Sequence, residues 1–131
     1  MATTTATLTL SSADLTGDAL SLSTTATLTK AGTVTGLDQF TGIARKTFSS
    51  TAQVTLIAKG DYTDDRAHKV YLKNTSTVAT ENLVVTVESQ LLGRLYAGDW
   101  ALLPFNGDQD IKITPSVGTA VTIEYAVIYE A

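Results

Sequence analysis

The chain has no cysteine and a single histidine in 131 residues. Without thiols there is no disulfide, no thiolate nucleophile and no cysteine-type zinc site, so stability must come from packing, backbone pairing and subunit contacts. Basic residues are also few, 9 Lys and Arg against 13 Asp and Glu, for a net charge of −4. Such a chain lacks the positive field that gathers phosphates, which argues against nucleic acid and against an anionic membrane surface as partners. No stretch approaches the roughly 20 apolar residues that span a bilayer. The opening MATTTATLTLSSADLTGD has neither the basic start nor the apolar run of a secretory signal, so a soluble protein made in a cytoplasm is expected. With two prolines and no Gly-rich linker, residues 1–131 suit one domain.

What the chain has is threonine, 24 of them, a β-branched residue that favours a half-exposed pleated surface over a helix. From Ala19 to Thr29, Leu20, Leu22, Ala26 and Leu28 alternate with Ser21, Ser23, Thr25, Thr27 and Thr29, the period of a strand with one buried face. Residues 2–10 repeat the pattern with Ala6, Leu8 and Leu10, and Gly17-Asp18 supplies a turn between the two. Further strands are expected at residues 53–59, 69–73, 83–88, 93–96, 110–114 and 121–129. In the last, Val121, Ile123, Tyr125, Val127 and Tyr129 line one face, and Ile128 on the other suggests additional cover. Residues 38–50 fit neither period, leaving room for a short helical turn. Turn signals at Lys59-Gly60-Asp61, Lys73-Asn74-Thr75-Ser76, Ala97-Gly98-Asp99, Asn106-Gly107-Asp108 and Pro115-Ser116-Val117-Gly118 fall every 8 to 15 residues or so. That spacing predicts an all-β domain, a sandwich of jelly-roll type with about eight antiparallel strands.

Candidate chemical sites are thin. Asn106, Asp108 and Asp110 have the alternating oxygen spacing of a calcium loop, but Ile111 stands where the tight turn needs glycine and Val117 where it needs a bidentate glutamate. Asp61, Asp64 and Asp65 form a second acidic loop. His68 has no nucleophile motif beside it and reads as a surface or packing residue, and Asn74-Thr75-Ser76 reads as a turn rather than a glycosylation site. Carboxylates such as Asp61, Glu81, Glu88 and Glu124 carry no spacing that implies a glycosidase pair. No catalytic residue, metal or cofactor is expected, and the chain is not read as an enzyme.

The most informative stretch is LLGRLYAGDWALLPF, Leu91 to Phe105, which places large apolar residues in a connection expected to be solvated. Tryptophan, tyrosine and arginine concentrate binding energy at interfaces. A contact cluster is therefore expected at Leu95, Tyr96, Trp100, Leu102, Leu103 and Phe105, with Arg94 and Asp99 at its polar margin. The competing reading is a carbohydrate-binding module, with Tyr96 and Trp100 stacking on a sugar ring.

The segments KVYLKNTS, ENLVVTVESQLLGRLYAGDWALLPF, DIKITPS and VTIEYAVIYEA, within residues 69–131, resemble small virion structural proteins of tailed bacterial viruses. The resemblance implies a capsid decoration, cement or fibre-type subunit: a β-sandwich that forms homo-oligomers, trimers favoured. It would bind the major capsid protein or another virion protein, after synthesis and assembly in the host cytoplasm. In that setting residues 1–18 are expected to form an extended arm that pairs with a neighbour.

Overall fold

The computed structural model describes residues 3–17 and 19–131. Eleven strands and one 3-10 turn are present among them, with no α-helix. The strands are β1 (Thr4–Ser12), β2 (Leu20–Leu28), β3 (Gln39–Phe40), β4 (Ala44–Phe48), β5 (Val54–Ile57), β6 (His68–Asn74), β7 (Leu83–Val87), β8 (Gln90–Leu95), β9 (Trp100–Phe105), β10 (Ile111–Pro115) and β11 (Val121–Tyr129). They form three antiparallel sheets: β1 with β2; β5, β10, β7 and β8; and β3, β11, β6 and β9, with β4 also on β11.

The pairs nest. β7 pairs with β8, β6 with β9, β5 with β10 and β4 with β11, so each pair encloses the one before it in sequence. The inner faces of the four- and five-stranded sheets share one apolar cluster, in which Ile57, Leu83, Val85, Leu95, Ile111 and Ile113 meet Phe48, Val70, Leu72, Phe105, Ile123 and Val127. Alternation in β6, β10 and β11 produces this directly, because every second side chain of a strand faces the same way. Ala126 and Ile128 of β11 point to the opposite face, and the cover anticipated there includes Leu37 and Phe40, which with Thr4 line a cavity beside Ile128.

Two expectations change. Residues 38–50 hold no helical turn; they run along β11 as β3 and β4, separated by Thr41, Gly42 and Ile43. Gly42 takes φ +78°, and Thr41 bridges the gap by donating its amide to Val127 O while its hydroxyl accepts from the Val127 amide. The break changes the phase of the strand, so Phe40 is exposed opposite Ile128 while Phe48 is buried opposite Val121. Leu91 to Phe105, in turn, is not a solvated connection. It is β8, a tight turn and β9, and the two strands are edges of different sheets. Pro104 obscured this, yet an edge strand is where proline is tolerated.

At one end of the core His68 is completely buried against Tyr62, Phe105 and Tyr129. Its Nε2 donates to Thr63 O at 2.8 Å and its Nδ1 accepts from the Glu130 amide at 3.4 Å, so packing accounts for this residue. Glu130, also buried, accepts from the Ala31 amide at 2.7 Å and from Arg66 at 3.1 Å, tying two loops to the end of β11. Burial pushes its carboxyl pKa up, but the Ala31 and Ala67 amides and the Arg66 guanidinium outweigh this and hold it below 4.5. A depressed carboxylate stabilises the fold above its unfolded pKa and loses that contribution as pH falls through its folded value. Melting temperature is therefore expected to drop below about pH 4.5, and Glu130→Gln should flatten that limb of a pH series followed by circular dichroism.

Candidate interaction surface

The β1–β2 ribbon gathers its apolar side chains on one face. In register, Ala6 faces Ala26 and Leu10 faces Leu22, with Leu8 opposite Thr24, all on one face; Thr5, Thr7, Thr9, Ser11, Ser21, Ser23, Thr25 and Thr27 occupy the other. Among the described residues its strands pair with each other and with no other strand. The arm expected at residues 1–18 is thus β1, paired inside the chain over Thr4–Ser12, with Met1, Ala2 and Asp18 outside the described residues. The apolar face of the ribbon is covered at its base and half-covered at Leu20 beside its turn, leaving the middle open. Leu28 is buried, whereas Leu22 and Ala26, expected on a buried face, are exposed.

The base crosses the outside of the five-stranded sheet. Thr4 lies by Phe40 and Ile128, on β3 and β11, while Ala6, Leu8 and Ala26 line a cavity of about 240 Å³ with Trp100 and Leu102 of β9. Trp100 and Leu102 face outward because they pair with Lys73 and Tyr71, the outward residues of β6. Trp100 remains 53% exposed and Tyr96 50% exposed, and Leu91 and Leu92 on β8 are exposed as well. Scattered exposed apolar residues are ordinary, but a concentration of them along one side of a domain marks contact.

The turn between β8 and β9 is built from below. The Asp99 carboxylate accepts from the Tyr96 amide at 2.9 Å, and the Asp99 amide donates to Tyr96 O. Asn74, wholly buried, donates its amide to Asp99 O and its Nδ2 to Leu95 O and Glu81 O, and its carbonyl accepts from Gly98. Its Oδ1 accepts from the Ser76 amide at 3.0 Å, so Asn74 ends β6 and turns the chain through its own side chain. Trp100 and Tyr96 are therefore displayed on a fixed support.

Of the expected contact cluster, Tyr96, Trp100, Arg94 and Asp99 are exposed and Leu102 and Leu103 half-buried. Arg94 donates to Asn82 Oδ1 at 3.2 Å. Leu95 and Phe105 belong instead to the internal core, since alternation along β8 and β9 turns them inward. Leu91, Leu92, Leu10 and Leu22 complete the exposed surface; the Leu-rich alternation of β1 and β2 was visible, but not that Leu10 and Leu22 would stay exposed.

The acidic loops touch each other, with Asn106 donating to Asp65 Oδ1 at 3.3 Å and the Asp65 amide to Asn106 O. Asp110 accepts from the Lys59 amide at 2.8 Å. Among the described residues no group of three His, Cys, Asp or Glu is placed to hold a metal ion. Three of the other carboxylates have structural partners: Glu81 with Ser76 and Thr119, Glu88 with the Asp110 amide, and Glu124 with Arg45 and Tyr71. Arg45, followed by Tyr71 and Lys73, holds the Glu124 carboxyl below its ordinary range against the opposing effect of burial. No protein-family model, curated protein or solved structure matches the chain.

Proposed function

We propose that this chain is a jelly-roll β-sandwich subunit of a virus particle, which forms a homo-oligomer and decorates or cements the capsid shell through apolar contacts. Nested pairing supports the jelly-roll reading. Counting β3 and β4 as one interrupted strand, each large sheet has four strands, and the chain is a single antiparallel ribbon wound about one core. Viral shell subunits and lectins both use that architecture, so the fold leaves the choice to the surface. The observation that carries the proposal is the half-exposed pair Tyr96 and Trp100, fixed by Asn74 beside a ribbon whose Leu10 and Leu22 are exposed.

Burying apolar area contributes about 25 cal/mol per Å², and repeating a modest patch over several linked subunits strengthens attachment beyond any single contact. An acidic subunit also suits the outer side of a shell better than the side facing packaged nucleic acid. The partners are then further copies of this chain and the major capsid protein or another virion protein. Light scattering coupled to size exclusion should give a closed oligomer that persists as salt is raised. Trp100→Ala should lower its mass or its co-sedimentation with shells at least tenfold in affinity, with at most about 1 kcal/mol lost from subunit stability because the side chain is half-exposed. A monomer at every concentration would count against the reading.

The exposure of the Tyr96 and Trp100 rings also fits a sugar-stacking platform on a tail fibre or cell-surface protein. A glycan array read alongside Trp100 fluorescence separates the two, since Trp100 is the chain's sole tryptophan.

A further inference from the structure

Thr4 lies over β3 and β11, and Ala6, Leu8 and Ala26 lie over β9, the edge of its sheet. Each further residue of a strand advances about 3.3 Å, so Leu10 and Leu22 extend past that edge. Leu10 and Leu22 are accordingly 42% and 43% exposed, on the same face that is covered nearer the base. A two-stranded ribbon is marginal in water unless its apolar face is packed on something. The side it overhangs is the side where β8 forms the edge of the other sheet. There Leu91, paired with Thr86, and Arg94, paired with Val84, point away from the core, while Leu92, at a bulge, is exposed at the opening between β8 and β9, where it lines a cleft with Val85, Ala101 and Leu103.

We infer that the overhanging end of the β1–β2 ribbon docks on β8 of a second copy of this chain, and that two copies exchange this contact about a two-fold axis. Three observations select that occupant. First, donor and acceptor lie on the same side of one chain, so two copies set face to face satisfy both at once, as an isologous interface requires. Second, the charges match: Asp14 stands in the turn of the ribbon, while Arg94 is the charged residue of the small cleft that Leu92 lines. Third, the area suffices. Leu10, Leu22, Leu91, Leu92, Tyr96 and Trp100 are each 42% to 64% exposed. That leaves on the order of 100 Å² apiece, so two symmetric contacts would bury roughly 1,200 Å², within the range of specific interfaces.

The inference rests on the homo-oligomer reading above and replaces the trimer that the resemblance implies with a two-fold pair. Light scattering on the wild-type chain, the double variant Leu10→Asp with Leu22→Asp, and Leu91→Asp tests it, with thermal melts to show that the core still folds. The expected result is a wild-type dimer, or an even multiple, and at least a tenfold weaker association in both variants with the core transition retained. Because the chain has no cysteine, Leu22→Cys and Leu91→Cys chains can be co-refolded and oxidised without background. A disulfide between the two chains supports the contact. A cross-link formed within single chains carrying both substitutions, at monomer mass, overturns it in favour of a ribbon folded on its own β8. A wild-type oligomer that the variants leave intact, or one of odd number, overturns this inference alone. A wild-type monomer at every concentration overturns the homo-oligomer reading as well.

Discussion

Asn74→Ala is expected to lower stability by about 3 to 4 kcal/mol, a melting shift of roughly 10 °C for a domain of this size. The side chain is completely buried and makes three hydrogen bonds, to Leu95 O, Glu81 O and the Ser76 amide. Truncation leaves those groups short of a partner, and an unmade bond in the interior costs more than a made one contributes. No buried side-chain polar atom among the described residues lacks a partner, so the site has no spare donor to substitute. Asn74→Asp should be no better, since it replaces the donating amide with a second acceptor aimed at Leu95 O and buries a charge. Loss of the support under the β8–β9 turn should also free Trp100, read as a shift of its fluorescence and of self-association beyond what global unfolding explains. If both variants melt within about 1 kcal/mol of wild type, the turn is not held from Asn74.

Gly107→Ala is expected to cost about 3 kcal/mol, from two causes acting together. Gly107 adopts φ +96°, where an L side chain is strained. A Cβ there would also sit 2.7 Å from Thr63 O, 3.0 Å from the Thr63 carbonyl carbon and 3.1 Å from Tyr62 O, all backbone atoms that no rotamer change removes. Gly60 offers a built-in comparison, with φ +86° and nothing within 4 Å. Gly60→Ala should therefore cost only about 1 kcal/mol, and urea melts of the two variants should differ by the steric part. Equal costs would mean that the loop holding Tyr62 and Thr63 gives way freely.

The class of fold was legible because period-two alternation survives wherever one face of a strand is buried, as in Ile111 to Pro115 and Val121 to Tyr129. Asn106-Gly107, which signals a hairpin, misleads: only Gly107 takes a positive φ, and the segment crosses from β9 in one sheet to β10 in the other. β4 was hidden by the Gly42 interruption, which shifts the phase between Phe40 and Phe48, and β9 by a near-continuous apolar run closed with Pro104. Of the candidate surface, Tyr96 and Trp100 were identified as residues but misplaced in setting. Leu95 and Phe105 could not be separated from them without knowing that β8 and β9 end in different sheets. Pattern reveals which residues share a face; what lies over that face is a property of topology.

The nesting of strand pairs has a kinetic side. β7 and β8 meet across a tight turn, whereas Arg45 of β4 reaches Glu124 of β11 across 79 positions of chain. Closing a loop costs entropy that grows with its length, so the central hairpin is cheapest to form and each enclosing pair follows once the previous one has shortened the gap. Substitutions in β7 and β8 should therefore mostly slow refolding, while those at the β4–β11 pair should mostly hasten unfolding, a gradient that the two arms of a denaturant chevron would display. The β1–β2 ribbon lies outside that nested series. It can close as soon as its own strands exist, leaving its apolar face available while the rest of the chain is still being wound.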